Sequence, residues 1–116
     1  MPPLSDEMRY HLLKLLEDDP SVSQRRLAKE LNISLGKVNY CLKALVEKGL
    51  IKAKNFRNNE NRTVYTYLLT PKGMNEKGHV TLRFLKRKLD EHKSLLEEIK
   101  SLRQEAAKIK DVSNII

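Results

Sequence analysis

The chain has 116 residues, enough for one domain with an extended appendage, and a hydrophobic content of 40% permits only a small core. Its 23 Lys and Arg against 15 Asp and Glu give a net charge of +8, which points toward a polyanion. One cysteine, Cys41, excludes an intrachain disulfide and a four-cysteine metal site, and 5% aromatics without tryptophan argue against an aromatic-lined pocket.

In "SDEMRYHLLKLLEDDP", Ser5 or Asp6 can cap a first helix. Met8, Leu12, Leu15 and Leu16 recur along it at helical spacing, and Pro20 stops it. "SVSQRRLAKELNI" predicts a second helix capped by Ser23, with Leu27, Ala28 and Leu31 inward and Asn32 as its left-handed end. Ser34 caps a third, from about Leu35 to Lys48. Val38, Cys41, Leu42 and Leu45 form its apolar stripe, and Gly49 ends it.

Beyond Gly49, "LIKAKNF" and "TVYTYLL" alternate in polarity around the polar turn "RNNENR", which predicts a β-hairpin. At "TPKG", Thr70 can cap a new helix with Pro71 in its first position. That helix runs from about Lys72 to Lys110, with only Gly73 and Gly78 weakening its start. A helix of roughly 38 residues is about 57 Å long, too long to fold back on so small a core. Leu82, Leu89 and Leu96 recur every seven residues, as do Leu85, His92, Ile99 and Ala106. Leu95, Leu102 and Ile109 then take over, so the seam shifts by one residue near Leu95 and Leu96. Such a seam requires another helix, and a second copy of the chain is the simplest one. Leu82, Leu85, Leu89, His92, Leu96, Ile99 and Leu102 are the expected dimer contacts. The expected division is residues 1–71 for the three helices and hairpin, and 72–116 for a dimerising helix.

The positive charge is unevenly spread. Residues 21–73 hold eleven basic and three acidic residues, whereas residues 1–20 hold two and five. The second and third helices meet through Leu27, Ala28, Ile33, Val38 and Leu42 across a short turn, which is helix-turn-helix spacing. In that unit the N-terminal part of the second helix enters the DNA major groove. Its polar front is then explained. Ser34 caps the helix and can donate to a phosphate. Gly36 allows close backbone approach, and Leu35 can meet a thymine methyl. Lys37 and Asn39 suit guanine and adenine edges, Tyr40 a phosphate or sugar, and Lys43 a phosphate. Arg25 and Arg26 are placed to grip the backbone. Lys52, Lys54, Arg57 and Arg62 flank "NNEN" in a basic wing, where Glu60 weakens the field slightly. Helix, helix-turn-helix and hairpin together predict a winged helix: mainly α, with a small β-hairpin and a long coiled-coil-type helix.

On these residues the chain resembles the MarR-type winged-helix regulators: "SQRRLAKELNISLGKVNYCLKALVEKGLIKA" followed by "YLLTPKG" looks like their helix-turn-helix, wing and closing strand. "SLGKVNYCLKALVEKGLIKAKNF" and "LLTPKG" with a single basic C-terminal helix look like the EPS-associated branch. The likeness covers about Asp6 to Ala107 and implies bacterial control of exopolysaccharide genes. Typical members add an N-terminal helix and two C-terminal helices that form a dimer domain and a ligand crevice. Here one long helix follows the wing, and no helix is left to wall an effector pocket.

Other function classes fare less well. His11, His79 and His92 are scattered without a carboxylate or cysteine partner at catalytic or ligand spacing, so neither an enzyme nor a cofactor is expected. Cys41 lies on the inward face, where packing outweighs redox sensing. A winged helix can also act as a protein-docking platform, and "RFLKRK" fits that alternative, but the polar, basic front of the third helix favours DNA. No apolar run approaches the roughly 20 residues of a membrane span, and the N-terminus lacks secretory features. The expected partners are therefore a pseudo-palindromic DNA operator and a second copy of the chain, in the cytoplasm and without a membrane.

Overall fold

Three serines determine where the first three helices begin. Ser5, Ser23 and Ser34 are extended, and their hydroxyl oxygens accept from the amides of Met8, Arg26 and Lys37 at 3.2, 3.1 and 3.0 Å. Each such cap stabilises a helix by about 1 kcal/mol. The computed structural model describes residues 4–109. In it the helices are α1 (Asp6–Asp18), α2 (Gln24–Leu31) and α3 (Leu35–Glu47). An antiparallel hairpin follows, β1 (Ile51–Arg57) with β2 (Thr63–Leu69), and then α4 (Pro71–Ala106). The expected fold class is the observed one.

The helices α2 and α3 end alike. Asn32 and Gly49 take left-handed backbone, φ 54° and 74°. The next amides reach back, Ile33 to the Ala28 carbonyl at 3.1 Å and Leu50 to that of Leu45 at 2.9 Å. This closing turn satisfies carbonyls that a helix end otherwise leaves open, and it turns Ile33 and Leu50 inward.

The α3 stripe of Val38, Cys41, Leu42 and Leu45 is buried as expected, against Leu27 and Leu31 of α2. On α1 the stripe is wider than its spacing suggested. Leu13 is wholly buried with Leu12 and Leu16, while Met8 and Leu15 pack at the margin. The physical reason is that α1 touches both α2 and β2, and one narrow row cannot serve two neighbours.

"TPKG" fastens α4 to the end of α3. The Thr70 hydroxyl donates to the Gly49 carbonyl at 2.6 Å and accepts from the Gly73 amide at 3.0 Å. The Thr70 amide donates to the Leu50 carbonyl at 3.1 Å, and Lys72 Nζ to that of Lys48 at 2.9 Å. Gly73 is thus more than a weak point in a helix: a Cβ there would overlap the Leu50 carbonyl.

The first compact unit runs to Phe84. Within it Val80 is wholly buried, and α4 is tied to α1 by Arg9–Glu76 at 3.3 Å, Lys77–Glu17 at 2.9 Å and Arg83–Asp6 at 3.0 Å. The ring of Phe84 lies 5.2 Å from that of Tyr10. From Leu85 a second unit begins. Along α4 the seam residues Leu82, Leu85, Leu89, Leu95, Leu96, Ile99 and Leu102 are exposed, and so is His92. The α-helix ends at Ala106 rather than near Lys110, because the Lys108 and Ile109 amides bond carbonyls three residues back, a tighter turn. Lys110 itself lies outside the described residues.

Candidate nucleic-acid interface

On a helix of 3.6 residues per turn, burial of Val38, Cys41, Leu42 and Leu45 turns Gly36, Tyr40, Lys43 and Glu47 directly outward. All four are exposed. Of the residues expected to read bases, Lys37 and Asn39 sit on the two flanks of this outward line and are half-buried. Lys37 is close enough to Cys41 for its charge to act on the thiol, and Asn39 faces α2 and the groove beside the hairpin. Leu35 is exposed at the tip beside the capping Ser34. Gly36 has ordinary negative φ and open space where a Cβ would stand, so nothing in the fold requires glycine there.

Hairpin pleating sorts the wing into two faces. Ala53, Asn55 and Arg57 pair with Tyr67, Tyr65 and Thr63 on the face toward α3. Lys52 and Lys54 point to the opposite face, so the basic wing is split between the two. At the tip, Arg57 donates to the Asn61 carbonyl at 3.1 Å, and Asn58 Oδ1 accepts from the Glu60 and Arg62 amides at 2.9 and 3.0 Å. Asn61 takes left-handed backbone, φ 61°. Arg62 lies 3.5 Å from Glu60, a fully exposed pair worth little in stability.

A groove of about 550 Å³ separates α3 from the hairpin, lined by Gln24, Asn39, Leu42, Lys43, Val46, Glu47, Ala53, Tyr65 and Tyr67. Gln24, Tyr65, Tyr67 and Glu47 are not among the site residues expected from the sequence. The two tyrosines had a signal, since β2 alternation puts both on one face. Glu47 had one too, since it lies opposite the apolar stripe of α3, whereas Gln24 had none, because it belongs to the site only through tertiary packing.

The α1 acids Asp6 and Glu17 are engaged by Arg83 and Lys77. Arg25, Lys43, Lys52 and Lys54 are exposed and form no ion pair with a described residue, while Arg26 lies 3.8 Å from Glu30. Burial pushes the Cys41 thiol up, against the pull of Lys37 and Arg9, which disfavours the reactive thiolate. Among the described residues no group of His, Cys, Asp or Glu is placed to hold a metal ion, and no helix is long and apolar enough to cross a membrane.

The same architecture occurs in proteins of known role. A PadR-like transcriptional regulator from Bacillus cereus superposes with a TM-score of 0.67 at 16% identity, covering 76% of this chain and 90% of that one. Lactococcus lactis ZitR, in a structure with DNA, gives a TM-score of 0.55 at 25% identity over 90% of this chain and 75% of that one. For Streptococcus pneumoniae FabT, also in complex with DNA, the values are 0.52, 25%, 88% and 76%. No match is found among curated proteins. Residues 5–52 match the family model described as winged helix-turn-helix DNA-binding, and the chain carries the fold of DNA-binding transcription regulators.

Proposed function

We propose that the chain is a sequence-specific double-stranded DNA-binding regulator of transcription that acts as a homodimer on a pseudo-palindromic operator. The observation that carries this is the outward front of α3. Gly36, Tyr40 and Lys43, with Asn39 at the flank, form a polar surface between the arginines of α2 and the wing. A front meant for packing would be apolar, and one meant only for solvent has no use for a helix-weakening glycine. That ZitR and FabT are in complex with DNA in their structures supports DNA as the partner. Dimerisation would run through the exposed seam of α4, placing two recognition helices in successive major grooves roughly 34 Å apart. Likeness to the EPS-associated MarR-type regulators supports surface-polysaccharide genes as the target, read in the cytoplasm.

Fluorescence anisotropy on DNA upstream of the protein's own gene, against an unrelated duplex across a salt series, tests the reading. Preference for the upstream DNA at physiological salt is expected, and equal, steeply salt-sensitive binding to both would overturn it. Lys37→Ala with Asn39→Ala is predicted to remove that preference, a loss of about 10- to 100-fold in the specific-to-unrelated ratio, with an unchanged melting curve. A ratio equal to wild type would sink the placement of the reading surface on α3.

Gly36→Ala separates a structural glycine from a functional one. With open space at the Cβ position, alanine should stabilise the free protein by about 0.5–1 kcal/mol. The same methyl would stand between α3 and the DNA backbone, so affinity should fall about tenfold, the weight of one lost close contact of roughly 1.4 kcal/mol. Thermal melts and anisotropy on the same sample decide it: higher stability with unchanged affinity means DNA does not approach here.

A further inference from the structure

Asn39 is held from behind. Its Nδ2 donates to Gln24 Oε1 at 3.4 Å, and Gln24 Nε2 donates to the Tyr67 hydroxyl at 3.0 Å. The chain of contacts joins α3, the first residue of α2 and strand β2 along one wall of the groove. Tyr67 and the start of α2 locate Gln24. Tyr67 is 7% exposed, and its amide donates to the Pro20 carbonyl at 2.9 Å, so packing and backbone locate the ring. Gln24 directly follows the capping Ser23, whose backbone and side chain are both set by the start of α2.

An asparagine on a helix can turn its amide over and offer oxygen and nitrogen in either order. Adenine demands one order, with an oxygen to accept from N6 and an N–H to donate to N7. Gln24 presents an oxygen to Asn39, and an oxygen can only accept. It therefore holds one N–H of Asn39 toward α2 and leaves the other N–H and Oδ1 for a base. We infer that Gln24 is a positioning residue that fixes the Asn39 amide in the order that reads adenine, with Tyr67 anchoring Gln24. The inference rests on the DNA-reading role proposed above and adds what enforces the reading of adenine by Asn39. Gln24 acts through Asn39 and need not touch DNA.

Selection of bound duplexes from a randomised library, followed by sequencing, gives the base preference at every position. The proteins compared are wild type, Asn39→Ala, Gln24→Met, Gln24→Glu and Tyr67→Phe. Wild type should show an adenine in each half-site that Asn39→Ala flattens. Gln24→Met should lower that one preference about tenfold and leave the other positions unchanged. Gln24→Glu is the decisive variant, because a carboxylate also only accepts. It should keep the adenine preference while weakening binding to all sequences through its charge. Tyr67→Phe keeps the buried ring and should give a smaller loss at the same position, which holds even where Gln24→Met folds poorly. An unchanged adenine preference in Gln24→Met, or its loss in Gln24→Glu, overturns the inference. Should wild type enrich no sequence, the DNA-reading role falls together with it. If wild type enriches a site that Asn39→Ala leaves intact, only the inference falls.

Discussion

With Leu89 and Leu96 both replaced by lysine, the protein is expected to sediment as a monomer and to lose affinity for a full operator by about a hundredfold or more. The avidity argument sets the size: joining two binding modules raises affinity by roughly 10²–10⁴ over one alone. Both leucines are more than half exposed, 58% and 53%, and lie beyond Phe84, so the winged-helix unit loses no packing. Exposed apolar rows of this length mark interaction surfaces, since water contact with so many leucines is unfavourable. Lysine rather than glutamate is the useful replacement. Lys86, Lys93 and Lys100 already flank the seam at intervals of seven, and a new carboxylate could pair with them. A new ammonium group adds only repulsion and desolvation cost. Affinity for an isolated half-site should stay unchanged, which distinguishes lost dimerisation from a damaged reading surface. A double variant that still sediments as a dimer would place the contact elsewhere.

Much of the architecture was legible because its signals are local. A serine followed by helical periodicity, an asparagine or glycine at the closing turn, and alternation around "RNNENR" each depend on a few neighbouring residues. Local chemistry decides them regardless of what the rest of the chain does. The site was legible on α3 and not beyond it. That α3 turns a polar front outward follows from its periodicity. So does the outward line itself, which lies opposite the stripe of Val38, Cys41, Leu42 and Leu45 and places Glu47 with Tyr40 and Lys43, and Lys37 and Asn39 on the flanks. The Asn39–Gln24–Tyr67 contacts were out of reach because they are a packing outcome. They join residues 15 and 43 apart in sequence, in three elements, through groups that are unremarkable one by one. Pleating likewise put Lys54 and Arg57 on opposite faces of the wing, although composition alone grouped them.

Gly73→Ala should be the most destabilising conservative change in the chain, about 3 kcal/mol, seen as a fall in Tm of roughly 15 °C at fixed protein concentration. Alanine is normally the better helix residue by about 1 kcal/mol, so propensity alone predicts the opposite sign. The added methyl would overlap the Leu50 carbonyl, and neither side can yield cheaply. That carbonyl already accepts from the Thr70 amide at 3.1 Å, while Thr70 and Lys72 hold the neighbouring carbonyls of Gly49 and Lys48. Moving α4 outward to admit a methyl would therefore strain three hydrogen bonds at once. It would also disturb the docking of Val80, which is wholly buried seven residues beyond Gly73 on the same helix. Gly78→Ala provides the control within α4. Open space surrounds that position, so alanine should stabilise by about 1 kcal/mol through propensity alone. Opposite signs for the two substitutions in paired thermal melts would establish that "TPKG" is a docking element. A gain in stability from Gly73→Ala would mean that α4 stands further from the end of α3 than its hydrogen bonds require.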